Sequence, residues 1–150
     1  MKRLLIAAAA AALSLAACVK SPEQDTYKGP YDVYVGTVKV DSKDGNTYYN
    51  ENIKVAWRTP AGGPDELAIY QIKFVPAMPV TINVSIPGIV ATEQEDGSIR
   101  LDCPDVDPWA LGGPYPKYRV SGFSGSVRGD RLSFKLLFGA TPTEFEGIKE

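Results

Sequence analysis

Hydrophobic and polar positions alternate with a period of two along most of the chain beyond residue 30. The clearest case is the segment 80–86, in which Val80, Ile82, Val84 and Ile86 alternate with polar residues. This period is typical of a β-strand that buries one face. The same reading predicts further strands over residues 31–40, 48–58, 66–75, 98–103, 117–128, 131–139 and 143–148.

Short turn signals separate these strands and indicate how they are connected. Asp44-Gly45, Asp96-Gly97 and Gly129-Asp130 are typical of tight hairpins. Seven or eight strands at hairpin spacing predict an all-β domain, either an up-and-down barrel or a sandwich, and sequential short turns favour the barrel. Four glycines inside predicted strands fit the bends that a curved barrel needs: Gly36, Gly88, Gly122 and Gly125. Residues 59–65 and 104–116 are predicted to be loops.

The N-terminus has a different pattern, in which Lys2 and Arg3 precede an apolar run over residues 4–16. A basic start, an apolar run and a small-residue cleavage site are typical of a secretory signal peptide. The run is shorter than the ~20 residues of a transmembrane helix. A secreted protein with a cleaved leader is therefore predicted, in preference to a retained membrane helix.

The leader ends in Leu15-Ala16-Ala17-Cys18, which resembles the lipobox of bacterial lipoproteins. The resemblance implies that Cys18 receives a diacylglycerol, that cleavage occurs before Cys18, and that the new amine is acylated, for example with palmitate. Two or more acyl chains anchor a protein stably, at roughly 0.8 kcal/mol per buried methylene. The alternative is an ordinary secreted protein. The domain prediction is a signal peptide over 1–17, a lipidated tether over 18–30 and a barrel domain over 31–150.

Removal of the leader changes the charge balance. The chain has 16 basic and 18 acidic residues, and the leader holds two of the basic ones, so 14 against 18 leaves a net charge of −4. A mildly acidic surface disfavours nucleic acid, which needs a basic patch. The expected location is the cell envelope, with the protein anchored by lipid in the outer membrane and either membrane face left open.

The residue types exclude several kinds of chemistry. The chain contains no histidine, which removes a Ser-His-Asp triad and a Cys-His pair, and no nucleotide-binding motif is present. With Cys18 lipidated, Cys103 lacks a partner within the chain, and a buried structural thiol is the prediction, although exposure or pairing between chains stays open. We therefore expect no enzyme and no cofactor or metal. Two clusters of oxygen-bearing side chains could in principle bind calcium, but their context predicts loop and turn structure instead: Asp102, Asp105 and Asp107, and Asp41, Asp44 and Asn46.

Aromatic residues are the candidates for ligand binding. Trp109 lies in the Pro- and Gly-rich loop, where it could form a lid or recognition tip, or cap one end of the barrel. The others lie on predicted strands, where they either fill the core or line a cavity wide enough for one small molecule. The candidate pocket and loop aromatics are Tyr34, Trp57, Tyr70, Phe74, Trp109, Phe123 and Phe138.

The lipobox is combined with several segments that resemble the calycin-like β-barrel lipoproteins of Bacteroidetes. These segments are YDVYVGTVKV at 31–40, FVPAMP at 74–79, VSG at 120–122 and LSF at 132–134. The resemblance spans residues 31–148 and implies an eight-stranded calycin-type barrel, without implying any site residue.

Two functions follow as hypotheses. The first is a non-catalytic envelope protein that binds a small apolar molecule or an envelope component. The alternative is a protein-interaction module, either an enzyme inhibitor or an accessory subunit of an envelope complex. Its candidate contact segments are the loops 59–65 and 104–116.

Overall fold

A computed structural model of the chain describes residues 27–42, 45–60 and 63–150. The described residues form ten β-strands and one short 3₁₀ turn, Pro116–Tyr118. The strands are β1 (Tyr27–Asp41), β2 (Thr47–Pro60), β3 (Asp65–Ile72), β4 (Ile82–Glu93), β5 (Ile99–Asp102), β6 (Trp109–Ala110), β7 (Gly113–Pro114), β8 (Val120–Arg128), β9 (Arg131–Phe138) and β10 (Thr141–Lys149).

Eight of these strands close into an antiparallel up-and-down barrel of the calycin or lipocalin type. The wall runs β3-β2-β1-β10-β9-β8-β5-β4 and closes through the pairing of β4 with β3. The all-β barrel predicted from the alternation is thus confirmed. The strands β6 and β7 form a small hairpin that pairs with β4 at Val84 and Ser85, beyond the point where the short β5 ends.

The seam between the first and last strands of the barrel depends on two glycines. Gly36 on β1 lies directly opposite Gly147 on β10. A Cβ atom on Gly36 would stand 1.9 Å from the backbone oxygen of Glu146 and 2.4 Å from the Cα of Gly147. Because no side chain fits there, glycine at position 36 permits the close approach of strands that completes the barrel.

The two ends of the barrel differ in their connections. Residues 42–46, 73–81, 103–119 and 139–140 join strands at one end, which we call the loop end. The connections 61–64, 94–98 and 129–130 lie at the other end, which we call the turn end. In the turn-end connection 94–98, the carboxylate of Asp96 accepts hydrogen bonds from the hydroxyl and amide of Ser98. These bonds, together with Arg128, lower the pKa of Asp96 to about 2.

Several predicted boundaries differ from the observed ones. The strand β1 begins at Tyr27, within the segment predicted as tether, and β3 ends at Ile72 rather than at residue 75. The predicted irregular loop 104–116 contains the β6–β7 hairpin. The predicted signal peptide and the predicted lipidation site, Cys18, lie outside the described residues. No helix within the described ranges has the length and apolar character needed to cross a membrane.

Candidate functional site

The interior of the barrel is occupied by its own side chains. Inward-facing residues from the strands around the wall form one cluster, in which Val38, Leu101 and Leu132 are completely buried. An eight-stranded barrel is narrow enough for side chains to fill it in this way. The sequence alone does not decide whether side chains fill the interior or leave a cavity. The packing supports filling by side chains along the middle of the barrel.

One aromatic group, the inner cluster, consists of Phe123, Phe134 and Phe145 on β8, β9 and β10. The ring of Phe134 stacks on both neighbours, with centroids 5.6 Å from Phe123 and 5.3 Å from Phe145. Gly125 and Gly147 make room for these rings: a Cβ on Gly147 would stand 2.5 Å from Cζ of Phe145, and one on Gly125 2.8 Å from Cβ of Phe134. All three phenylalanines are almost completely buried. This cluster is part of the core.

A second aromatic group, the loop-end cluster, consists of Phe74, Phe138, Tyr118 and Tyr115. Tyr118, from the 3₁₀ turn, stacks on Phe74 with centroids 4.3 Å apart. Phe138 meets the Phe74 ring edge-on at 5.2 Å, and Tyr115 lies 5.3 Å from Tyr118. The cluster therefore combines rings from the barrel strands and from both long loops.

Three residues of the loop-end cluster, Phe74, Tyr118 and Phe138, line the floor of a surface depression of about 400 Å³. Its walls add Val75, Lys117 and Ala140, and the rim reaches Ser42 and Thr141. The ammonium group of Lys117 lies 5.7 Å from the centroid of the Tyr118 ring. Such a depression, apolar below and with the Lys117 ammonium at its edge, is within the usual size range of small-molecule sites.

The long loops around this depression are unusually apolar. Residues 74–82 and 108–116 contain no charged side chain. Val75 and Val80 are 40% and 62% exposed, and Leu111 at the tip of the β6–β7 hairpin is 70% exposed. Large apolar side chains that share one end of a small domain are typical of an interaction surface.

Ordered contacts hold the loop 103–119 in place. The backbone amides of Val106 and Val120 donate to each other's carbonyl oxygens at 3.1 and 2.8 Å. The guanidinium of Arg119 donates to the Asp107 carboxylate at 2.9 Å and to the backbone oxygen of Asp105 at 3.4 Å. The loop is thereby fixed before any ligand arrives, which reduces the entropic cost of binding.

The carboxylates weighed as calcium ligands serve structural contacts. Asp107 binds Arg119, and Asp102 pairs with Arg100 at 3.0 Å. Across the described ranges, no three His, Cys, Asp or Glu residues come together in a group that could hold a metal ion. Asp44 lies outside those ranges.

Cys103 is half-buried rather than fully buried at the start of this loop. Its Sγ donates to the backbone oxygens of Pro87 at 3.4 Å and Pro104 at 3.2 Å. Burial, with a smaller contribution from the charge of Asp105, raises the pKa of the thiol to about 11. A thiol that stays protonated at neutral pH is a poor nucleophile.

The seven candidate aromatic residues lie in different regions of the structure. Phe74 and Phe138 belong to the loop-end cluster, and Phe123 belongs to the inner cluster. Tyr34 is buried inside the barrel, where burial and the charges of Asp32 and Asp130 raise its pKa. Trp57 packs against the core, and its indole donates to Asp65 at 2.8 Å.

Tyr70 and Trp109 point away from the core, to the outer face of the wall. The hydroxyl oxygen of Tyr70 accepts from the guanidinium of Arg58, which is itself almost completely buried. Trp109 lies opposite Ser85 on β4, so their side chains share a face. The indole N–H of Trp109 is buried without a hydrogen-bond partner.

Sequence reasoning did not single out Tyr118, Tyr115 or Lys117. These residues follow one another within PYPKY, where prolines interrupt any strand period and the chain forms a 3₁₀ turn. A weak signal was available, since aromatic residues on a long loop of a small scaffold often contact ligands.

Comparisons with known protein families, with curated proteins and with solved structures found no match. The depression and its aromatic floor are therefore interpreted from their own chemistry.

Proposed function

We propose that this protein is a non-catalytic, lipid-anchored envelope protein of the calycin-like type, which binds a small apolar molecule at the loop end of its barrel. The observation that carries the proposal is the stack of Phe74 and Tyr118 beneath a depression of about 400 Å³. Burial of apolar ligand surface there contributes roughly 25 cal/mol per Å². Lys117 at the edge favours a ligand whose apolar body ends in an acidic group.

Titration of the protein with 8-anilinonaphthalene-1-sulfonate, an apolar dye with one acidic group, tests this proposal. We expect saturable fluorescence enhancement with one site, and a Tyr118→Ala variant with at least tenfold weaker affinity. Tyr49→Ala is the matched control, because Tyr49 is an exposed tyrosine on the outer wall. Equal affinity of the wild type and Tyr118→Ala, or the absence of saturable binding, would contradict the proposal.

The lipid anchor is proposed from the resemblance at residues 15–18 and has a separate test. A Cys18→Ser variant should leave the membrane fraction and keep the circular dichroism spectrum of a folded β-protein. Retention of this variant in the membrane would show that something other than the acylated thiol holds the protein.

A second candidate function, protein interaction, is favoured by the exposed Leu111 at the hairpin tip. A photocrosslinking residue at position 111 should capture an envelope protein in intact cells. The control places it at Glu95, an exposed residue at the turn end. Capture at both positions, or at neither, would remove this candidate.

A further inference from the structure

Three residues with an unusual backbone conformation meet on one side of the barrel. Asn52, Gln71 and Leu111 have φ angles of 55°, 58° and 54°, and they are the non-glycine residues with positive φ among those the structure describes. This left-handed conformation is costly for residues that carry a Cβ, and it is concentrated at functional sites. It is especially unusual for Leu111, which precedes Gly112 in a two-residue turn where Asn or Asp is usual.

All three residues line two adjoining surface grooves of about 380 and 360 Å³. Asn52 lies in the first groove, Leu111 lies in the second, and Gln71 and Thr81 are shared by both. We call the combined feature the lateral trough. It crosses the outer face of β2, β3, β4 and β6, which at ~4.8 Å per strand gives a length of about 14 Å.

The trough presents uncharged polar groups that are free to bind. The side-chain amides of Asn52 and Gln71 and the hydroxyl of Thr81 are exposed and make no hydrogen bond among the described residues. Asn83 uses its Oδ1 to accept from the backbone amide of Gln71 at 2.9 Å, which leaves its NH₂ group available. Amides and hydroxyls both donate and accept, as the hydroxyl groups of a sugar require.

The charged residues of the trough already have partners. Glu51 accepts a hydrogen bond from Thr37 at 3.1 Å, and Lys54 pairs with Glu150 at 3.3 Å. The trough is therefore suited to a neutral ligand.

Trp109 gives the trough an aromatic wall. Trp109 is partly exposed and lines the second groove beside Leu111. Aromatic rings supply a flat apolar face with a polar edge, which suits the C–H face of a sugar ring.

The arrangement of the strands disfavours an extended peptide as the ligand. A peptide that adds to a sheet needs an unpaired strand edge. The trough runs across β2, β3, β4 and β6 rather than along one strand edge, so a peptide lying in it would not extend a strand.

From this geometry we propose that the lateral trough is a binding site for a short neutral oligosaccharide, with Gln71 and Thr81 at its centre and Trp109 as its stacking face. The backbone strain at Gln71 holds its amide in the binding position. This site is separate from the loop-end depression and does not depend on the function proposed there.

Calorimetric titration of the full-length protein in detergent tests the site with neutral oligosaccharides of glucose, mannose and N-acetylglucosamine. We expect at least one of them to bind, and Gln71→Gly to weaken that binding at least tenfold. Glycine relieves the positive φ at this position, so the Tm of Gln71→Gly should equal or exceed that of the wild type. Loss of binding in a variant of undiminished stability cannot come from unfolding.

Three other variants test the specificity of this binding. Thr81→Ala, at an exposed position, should also weaken binding. Ser124→Ala should leave binding unchanged, because Ser124 lies on β8 and lines a separate groove with residues of β9 and β10. Tyr118→Ala should bind the oligosaccharide normally even if it loses the dye. The proposal is overturned if none of the oligosaccharides binds, or if Gln71→Gly binds as tightly as the wild type.

Discussion

The two aromatic clusters of this barrel contain similar rings, but one lies in the core and the other borders a surface depression. In the inner cluster, Phe123, Phe134 and Phe145 come from three adjacent strands and are almost completely buried, with glycines making room for them. In the loop-end cluster, a ring from a loop, Tyr118, stacks on Phe74, and the pair borders a depression. The inner cluster is therefore part of the core, whereas Tyr118, from the loop 103–119, contributes a partly exposed ring to a surface depression.

The largest effect is expected for Phe134→Ala, which removes the central ring of the inner cluster. Loss of a buried phenylalanine costs about 3–5 kcal/mol of unfolding free energy. Urea denaturation measures it, with Phe134→Leu as a control expected to lose less than about 1.5 kcal/mol because most of the volume remains. A cost below about 1 kcal/mol for Phe134→Ala would mean that the inner cluster is not tightly packed.

Gly147→Ala should cause the next largest loss of stability, because it adds a methyl group where no space exists. That methyl would collide with the Phe145 ring at 2.5 Å and with the backbone oxygen of Val35 at 2.8 Å. Overpacking of this kind costs about 1–3 kcal/mol. Gly113→Ala is the matched control, since a Cβ there meets nothing within 4 Å. Equal stabilities of the two variants would refute the tight fit assigned to the inner cluster.

The sequence predicts the strands well because alternation reports which residues face inward. It cannot report which inward residues face one another, since this depends on register. The pairing of Phe134 with Phe145, and of Gly125 with Phe134, turns separate aromatic positions into one filled core.

The loop end was less predictable for a related reason. The β6–β7 hairpin turns at Leu111-Gly112, which lacks the usual Asn-Gly or Asp-Gly signal. Tyr118 joins the loop-end cluster only because the loop 103–119 folds back and places its ring on Phe74.

Tyr118→Ala should have a small effect on stability, which sharpens the contrast between the clusters. Its partly exposed ring contributes a stacking interaction of about 1 kcal/mol. The same urea titration measures this loss beside that of Phe134→Ala. A loss as large as that of Phe134→Ala would place Tyr118 in the core and would remove the distinction between the two clusters.

The last prediction concerns the reactivity of Cys103, which lies at the base of the loop that carries Tyr118. Because its pKa is raised to about 11, little thiolate forms at pH 8. In a Cys18→Ser background, reaction with a disulfide reagent should be roughly 100-fold slower in the native than in the unfolded protein. The stabilising effect of the protonated thiol is fully present below its ordinary pKa of 9.0 and is lost as the pH rises through about 11. Equal rates in the two states would show that the base of the loop is open.

The central claim is that the ligand binds at the loop end and not inside the barrel. Mapping of amide chemical shifts by NMR during titration with 8-anilinonaphthalene-1-sulfonate tests it most directly. We predict that the largest shifts occur at Val75, Lys117, Tyr118 and Ala140, around the depression. Largest shifts at Phe134, Phe145 and Leu101, deep in the interior, would contradict the account.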